Sequence, residues 1–117
     1  MVDQKAKDLG RFIGQSPEYQ AVKRANDALQ NDRDAVMALN RMEQLRQDAQ
    51  RLLAQGKEPT DEMERELDEL LTKVQGNPNY QRAISAQENF DKLMIQVNGW
   101  ISEGMKAGAA SPIITLT

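Results

Sequence analysis

The sequence predicts an all-α fold: a helical hairpin with a long C-terminal helix and short N-terminal helices, completed as an oligomeric helical bundle. Three observations lead there. Apolar residues recur at alternating spacings of three and four along most of the chain, the signature of helices with one buried stripe. The runs are separated by helix-stop and helix-start residues, and none alternates as a strand would. The 117 residues include only five aromatics and no cysteine, and their mean hydropathy is low, so the core must come from Leu, Met, Ala and Val. Such a composition suits elongated helices whose stripes are finished by a second copy.

Taken in order, Val2, Ala6, Leu9, Phe12 and Ile13 give a first short helix ending near Gly14. Ser16-Pro17 opens a second, with Ser as cap and Pro in the first turn, and its stripe is Tyr19, Val22, Ala25 and Leu29. Asn31-Asp32 marks a kink or a re-capped start, because both side chains compete for helical hydrogen bonds. The hairpin follows. Ala35, Ala38, Met42, Leu45, Ala49 and Leu52, widened by Leu39 and Leu53, form its first seam. Gly56 can adopt the left-handed conformation that closes a helix, and Pro59 forbids continuation. Thr60 caps the answering helix, Asp61 and Glu62 favour its N-terminal dipole, and Met63, Leu67, Leu70, Leu71 and Val74 form its stripe.

Gly76-Asn77-Pro78 stacks a closing Gly, a capping Asn and a first-turn Pro before the last helix, expected from Pro78 to about Gly104. Its stripe is Tyr80, Ala83, Ala86, Phe90, Leu93, Val97 and Trp100, widened by Ile84, Met94 and Ile101. Ser16-Pro17-Glu18-Tyr19-Gln20 and Asn77-Pro78-Asn79-Tyr80-Gln81 echo each other, either by duplication or by independent use of good helix-start chemistry. Residues 1–106 read as one domain and 107–117 as a flexible tail, frayed or laid as an extended segment on a neighbour.

Little chemistry is offered. With neither His nor Cys, thiol and imidazole catalysis and the usual zinc sites are excluded, so no catalytic, cofactor or metal residues are expected. The acids Glu58, Asp61, Glu62, Glu64, Glu66, Asp68 and Glu69 lie beside an apolar stripe and read as a solvated helix face. A net charge of −3 gives no attraction to nucleic acid, and Arg46 falls well away from the line of Arg33 and Arg51. Residues 1–57 carry ten basic and eight acidic side chains and residues 58–117 five and ten, so the hairpin has complementary flanks. The N-terminus lacks a signal peptide's apolar run and no segment reaches the length of a membrane span, so a cytoplasmic protein is expected.

The last helix exceeds the hairpin helix before it, about 40 Å against about 24 Å at 1.5 Å per residue. A candidate interface follows: Phe90, Leu93, Met94, Val97, Trp100 and Ile101, covered by a second copy in a homodimer or higher homo-oligomer. The competing arrangement folds the first two helices back over this stretch.

The order of these features is similar to that of the YlbF/YmcA family of small bacterial helical regulators, including YheA-like members. It is carried by Ser16-Pro17-Glu18-Tyr19-Gln20-Ala21-Val22-Lys23, the Asn31-Asp32 step, Gln55-Gly56-Lys57-Glu58-Pro59-Thr60, Asn77-Pro78 and Val97-Asn98. The resemblance covers about residues 3 to 104. It implies an all-α, self-associating protein without catalytic residues. In its best-known members it implies a regulatory complex with a third protein that acts on the endoribonuclease RNase Y, and so on RNA processing, competence, sporulation and biofilm formation. Iron–sulfur clusters tied to C-terminal cysteines do not transfer to a chain without cysteine. The resulting expectation is a non-enzymatic adaptor of a ribonuclease-associated complex; the alternative is a structural or chaperone-like helical protein of the YheA-like branch.

Overall fold

The computed structural model describes residues 1–110, and all of its secondary structure there is helical. Five helices follow in order: α1 Val2–Gly14, α2 Pro17–Gln30, α3 Arg33–Ala54, α4 Asp61–Gln75 and α5 Pro78–Ala110. The helix starts are set by the predicted caps. Ser16 Oγ accepts from Tyr19 N at 3.1 Å, Thr60 Oγ1 from Met63 N at 3.2 Å, and Asn77 Oδ1 from Tyr80 N at 3.0 Å. The echo between the α2 and α5 starts extends to a side chain four residues past each cap. Gln20 Nε2 donates back to Gly14 O and Gln81 Nε2 to Gln75 O, both at 2.8 Å, so each Gln satisfies a carbonyl left free by the preceding helix.

Gly56 has φ +77°, and the amides of Lys57 and Gly56 reach back to Leu52 O and Leu53 O, which closes α3 in the left-handed manner expected. Gly76 does not: it caps α4 with φ −83°, a right-handed value, and its corner is held by side chains instead. Helix α5 runs six residues past the expected Gly104, to Ala110. The alanine-rich 107–110 stretch is strong helix-forming sequence, and neither Gly104 nor Gly108 leaves right-handed φ. The first four residues of the expected tail are therefore helical; 111–117, including the apolar Pro112–Leu116 run, lie outside the described residues.

The helices pair in two arms. Helices α3 and α4 form the predicted antiparallel hairpin, clamped by Arg41 and Glu66 through Nε–Oε2 at 2.6 Å and Nη2–Oε1 at 2.9 Å. The other flanking arginines do not cross the hairpin: Arg46 pairs with Glu43 and Arg51 with Asp48 on α3 itself. Helix α5 leaves the hairpin at Asn77 and runs antiparallel along α2, with the Tyr19 and Phe90 rings edge to face at 5.5 Å. Cover of α5 thus comes mainly from α2, in the sense of the competing arrangement that folds the N-terminal helices back along it, and only slightly from α4. The physical reason lies at the corner. Asp32 caps α3 through Oδ1 on Ala35 N, and its Oδ2 accepts from Asn77 Nδ2 at 2.9 Å and Asn79 Nδ2 at 3.1 Å. The α2–α3 and α4–α5 corners are thereby tied together, which sends α5 back beside α2.

Two arms meeting at one corner make a long molecule. It measures 71 × 36 × 19 Å, and its radius of gyration of 21.9 Å compares with about 13 Å for a compact chain of this length. Its core is correspondingly thin: Ala35, Ala38, Leu45, Val74, Ala83, Ala86 and Val97 are the buried apolar residues, and four of them are alanine.

Candidate functional site

Besides the exposed α1 residues Val2, Leu9 and Phe12, two apolar surfaces remain after the arms have formed. The first is the distal part of α5, where the sequence places its candidate interface. Phe90, Leu93 and Met94 are half-buried, Phe90 by its contact with Tyr19, and Val97 is already buried within one chain. Trp100 and Ile101 are exposed, at 59% and 43%. Since Trp100, Ile101 and Met105 follow Val97 at three, four and eight residues, they continue the same helical face from the core into solvent. The structure therefore splits the six residues: the proximal four are wholly or partly covered by their own chain, and Trp100 and Ile101 are not. Met105, also exposed, extends the surface by two turns beyond Val97 and is the residue this reading of the stripe missed.

The second surface is a groove of about 540 Å³ between α3 and α4. Its walls are Leu39, Met42 and Ala49 from α3, Met63 and Leu67 from α4, with Pro59 at the turn. Seam residues that the sequence assigns to the hairpin core are thus only half-buried, because two helices bury one line of contact and leave the outer half of each stripe open. Glu43, Arg46 and Glu64 edge the groove.

The ionisable groups serve as structural ties. Asn77 and Asn79, then the Ala35 amide, hold the Asp32 carboxyl below its ordinary value, since each donates to the charged form. Arg41 does the same for Glu66, and Arg46 for Glu43. Among the described residues no group of three or more acids could hold a metal ion, and no helix is long and apolar enough to cross a membrane. The acidic face of α4 is spread along its solvent side, where only Glu66 reaches across to α3. The Asp32–Asn77–Asn79 tie was not legible as a site. Asn77 and Asp32 each carry a cap signal, but nothing in the sequence links positions 45 residues apart.

A family model described as "Control of competence regulator ComK, YlbF/YmcA" matches residues 2–106. A UPF0342 protein of Desulfitobacterium hafniense is 30% identical over 102 residues, covering 87% of this chain and 78% of that protein. A UPF0342 protein of Limosilactobacillus reuteri is 28% identical over 97 residues, covering 83% and 79%. One of Leuconostoc mesenteroides is 21% identical over 98 residues, covering 84% of each. The names of these relatives state no activity.

Proposed function

The chain belongs to the YlbF/YmcA family, and from that premise we propose that it is a non-enzymatic, self-associating adaptor that helps control a larger bacterial regulatory machine. The family's description ties it to control of a competence regulator, and the resemblance adds RNA processing as the route. What supports an adaptor is the surface rather than any reactive group. Trp100, Ile101 and Met105 offer a bare apolar strip on a rigid helix, at the far end from the Asp32 corner. A Trp exposed on a monomer leaves on the order of 200 Å² of mostly apolar surface, a typical anchor for an interface. Self-association through this strip leaves the hairpin arms free to project.

The test is the solution mass. Wild type is expected to elute above the 13.2 kDa of one chain by light scattering, and Trp100→Glu to lower the mass while helicity is retained. A wild-type monomer, or a Trp100→Glu variant that keeps its mass, overturns self-association through α5. A pulldown from cell lysate tests the adaptor role by returning a stoichiometric partner. The second reading, a chaperone-like binder of exposed chains, draws on Met42 and Met63 in the groove, since methionine adapts to varied partners. It expects a broad, sequence-indifferent set of unfolded clients in the same pulldown.

A further inference from the structure

The groove between α3 and α4 is left open by its own chain, because the tie at Asp32 turns α5 away along α2. We propose that it receives an amphipathic helix of a partner protein, one whose apolar stripe is flanked along one side by lysine or arginine. The inference rests on the adaptor reading above and names the class of partner; it does not involve the α5 strip.

The walls decide what kind of chain fits. Leu39, Met42 and Ala49 face Met63 and Leu67 across the groove, over a length of about 15 Å at the helical rise. The main chain of both walls is already bonded within its own helix. An extended segment laid there would therefore bury amides and carbonyls with nothing to pair them. A helix arrives with its main chain bonded and needs only a stripe at spacings of three and four, making a third helix beside α3 and α4. Met42 and Met63 can re-pack to its side chains.

Charge decides which helix. The α3 edge is neutral, since Arg46 Nε donates to Glu43 Oε2 at 2.9 Å and the two charges cancel. The α4 edge is acidic. Glu64 lines the groove, and Asp61 and Asp68, three residues before it and four after, continue the same side of the helix. All three are exposed, and none forms an ion pair among the described residues. The acid of α4 that is paired across the hairpin, Glu66, is held by Arg41 outside the groove. Helix α4 as a whole carries Arg65 and Lys73 against six acids, 2 − 6 = −4. A helix with cations beside its stripe meets unlike charge along α4, whereas an acidic one meets like charge there. Because only one edge is charged, a single basic flank also fixes which way the helix runs.

The probe is a synthetic helical peptide of about 18 residues, with leucine at spacings of three and four, lysine along one flank and alanine and glutamine elsewhere. Its control carries glutamate in place of each lysine. The six methionines report where it binds, because Met42 and Met63 stand on the two groove walls and Met94 and Met105 on α5. Added to protein labelled at the methionine methyls, the lysine peptide is expected to shift the Met42 and Met63 resonances and leave Met105 unmoved. Its affinity should exceed that of the glutamate peptide about tenfold. Glu64→Gln with Asp68→Asn should weaken it about fivefold, while Glu88→Gln with Glu103→Gln, which removes as many charges from α5, should change it less than about twofold. Shifts confined to Met94 and Met105 place the contact on the α5 strip and overturn the groove assignment, while the adaptor reading stands. Equal affinity for the two peptides, or for the two double variants, overturns the selection by charge. Met42 and Met63 resonances that move on dilution of the protein alone mean that a second copy closes the groove, which overturns the proposal as well. No binding at all overturns it and leaves the adaptor reading to the pulldown, which does not use the peptide.

Discussion

The α2/α5 arm and the α3/α4 arm face the same problem, two amphipathic helices with no third layer, and resolve it with different side chains. Along α2 and α5 the contact is made largely by alanines: Ala83 and Ala86 are buried on α5, and Ala25 and Ala28 lie across from Ala86 and Arg82. Small residues let two helices approach until their own backbones and flanking stems shield the seam, and Tyr19 on Phe90 finishes one end. Along α3 and α4 the contact is Ala35, Ala38, Leu45 and Val74, and towards the turn the larger Leu39, Met42, Met63 and Leu67 stand half out of it. The alanine-lined stretches, on α5 and at the start of α3, are buried between two helices, whereas the leucine and methionine stretch of the hairpin leaves surface for something else to cover. In this molecule the hairpin groove and the end of α5 beyond its core are therefore unfinished, as is the α1 face that bares Phe12.

If the arms differ in this way, their cores should fail differently. The largest effect is expected from Leu45→Ala, which removes the one large side chain buried on α3. It should cost about 3 kcal/mol by chemical denaturation, within the range for buried leucine. The converse change in the other arm, Ala86→Leu, forces bulk into a close helix contact and should cost about 2 kcal/mol by overpacking. The pair sharpens the comparison, because Ala86→Leu costing nothing would mean the α2/α5 seam has slack and is not closed by its alanines.

Much of this was legible in the sequence. The caps at Ser16, Thr60 and Asn77, the left-handed Gly56 and the five runs of apolar spacing depend on local chemistry, which sequence displays directly. Exposure of Trp100 and Ile101 was legible too, from an apolar stripe longer than its cover. What covers α5 was not. Periodicity tells which face of a helix is buried and is silent on which helix buries it. That choice is made by Asp32, whose second carboxylate oxygen finds two asparagine amides across the corner. The end of α5 was placed early because glycine lowers helix propensity without forbidding the helix, and Gly104 has no strong stop beside it.

The two connectors carry the contrast to a smaller scale. Gly56→Ala puts a Cβ on a left-handed residue and should cost about 1 kcal/mol. Gly76→Ala meets no such strain: its φ is −83°, and the added Cβ would lie 3.4 Å from Thr72 O, an ordinary contact. It should be neutral or slightly stabilising by reducing the freedom of the unfolded chain. Equal costs at the two glycines in thermal melts would show that the α4–α5 corner is not held by side chains in the way described.

The smallest expected effect separates the corner from the hairpin clamp by pH and salt. Asp32 and Glu66 both have carboxyls held below their ordinary values of 3.8 and 4.5, the first by Asn77, Asn79 and the Ala35 amide, the second by Arg41. For a group whose folded-state pKa is depressed, the stabilisation is fully present above the unfolded value and is lost as pH falls through the folded one. Both ties should therefore hold at neutral pH and weaken below about pH 4. Salt tells them apart. The partners of Asp32 are neutral amides, so its contribution should change little with ionic strength. The partner of Glu66 is a half-exposed guanidinium, so that contribution should fall as salt screens it. Asp32→Asn leaves an oxygen to cap α3 but no charge for Asn77 and Asn79 to meet, and so resembles the protonated acid. The gap in melting temperature between wild type and Asp32→Asn should be open at neutral pH, indifferent to salt, and closed in strong acid. A gap that shrinks with salt at neutral pH would mean that Asp32 acts through a distant cation, and the corner would then be an ion-pair clamp like that of the hairpin.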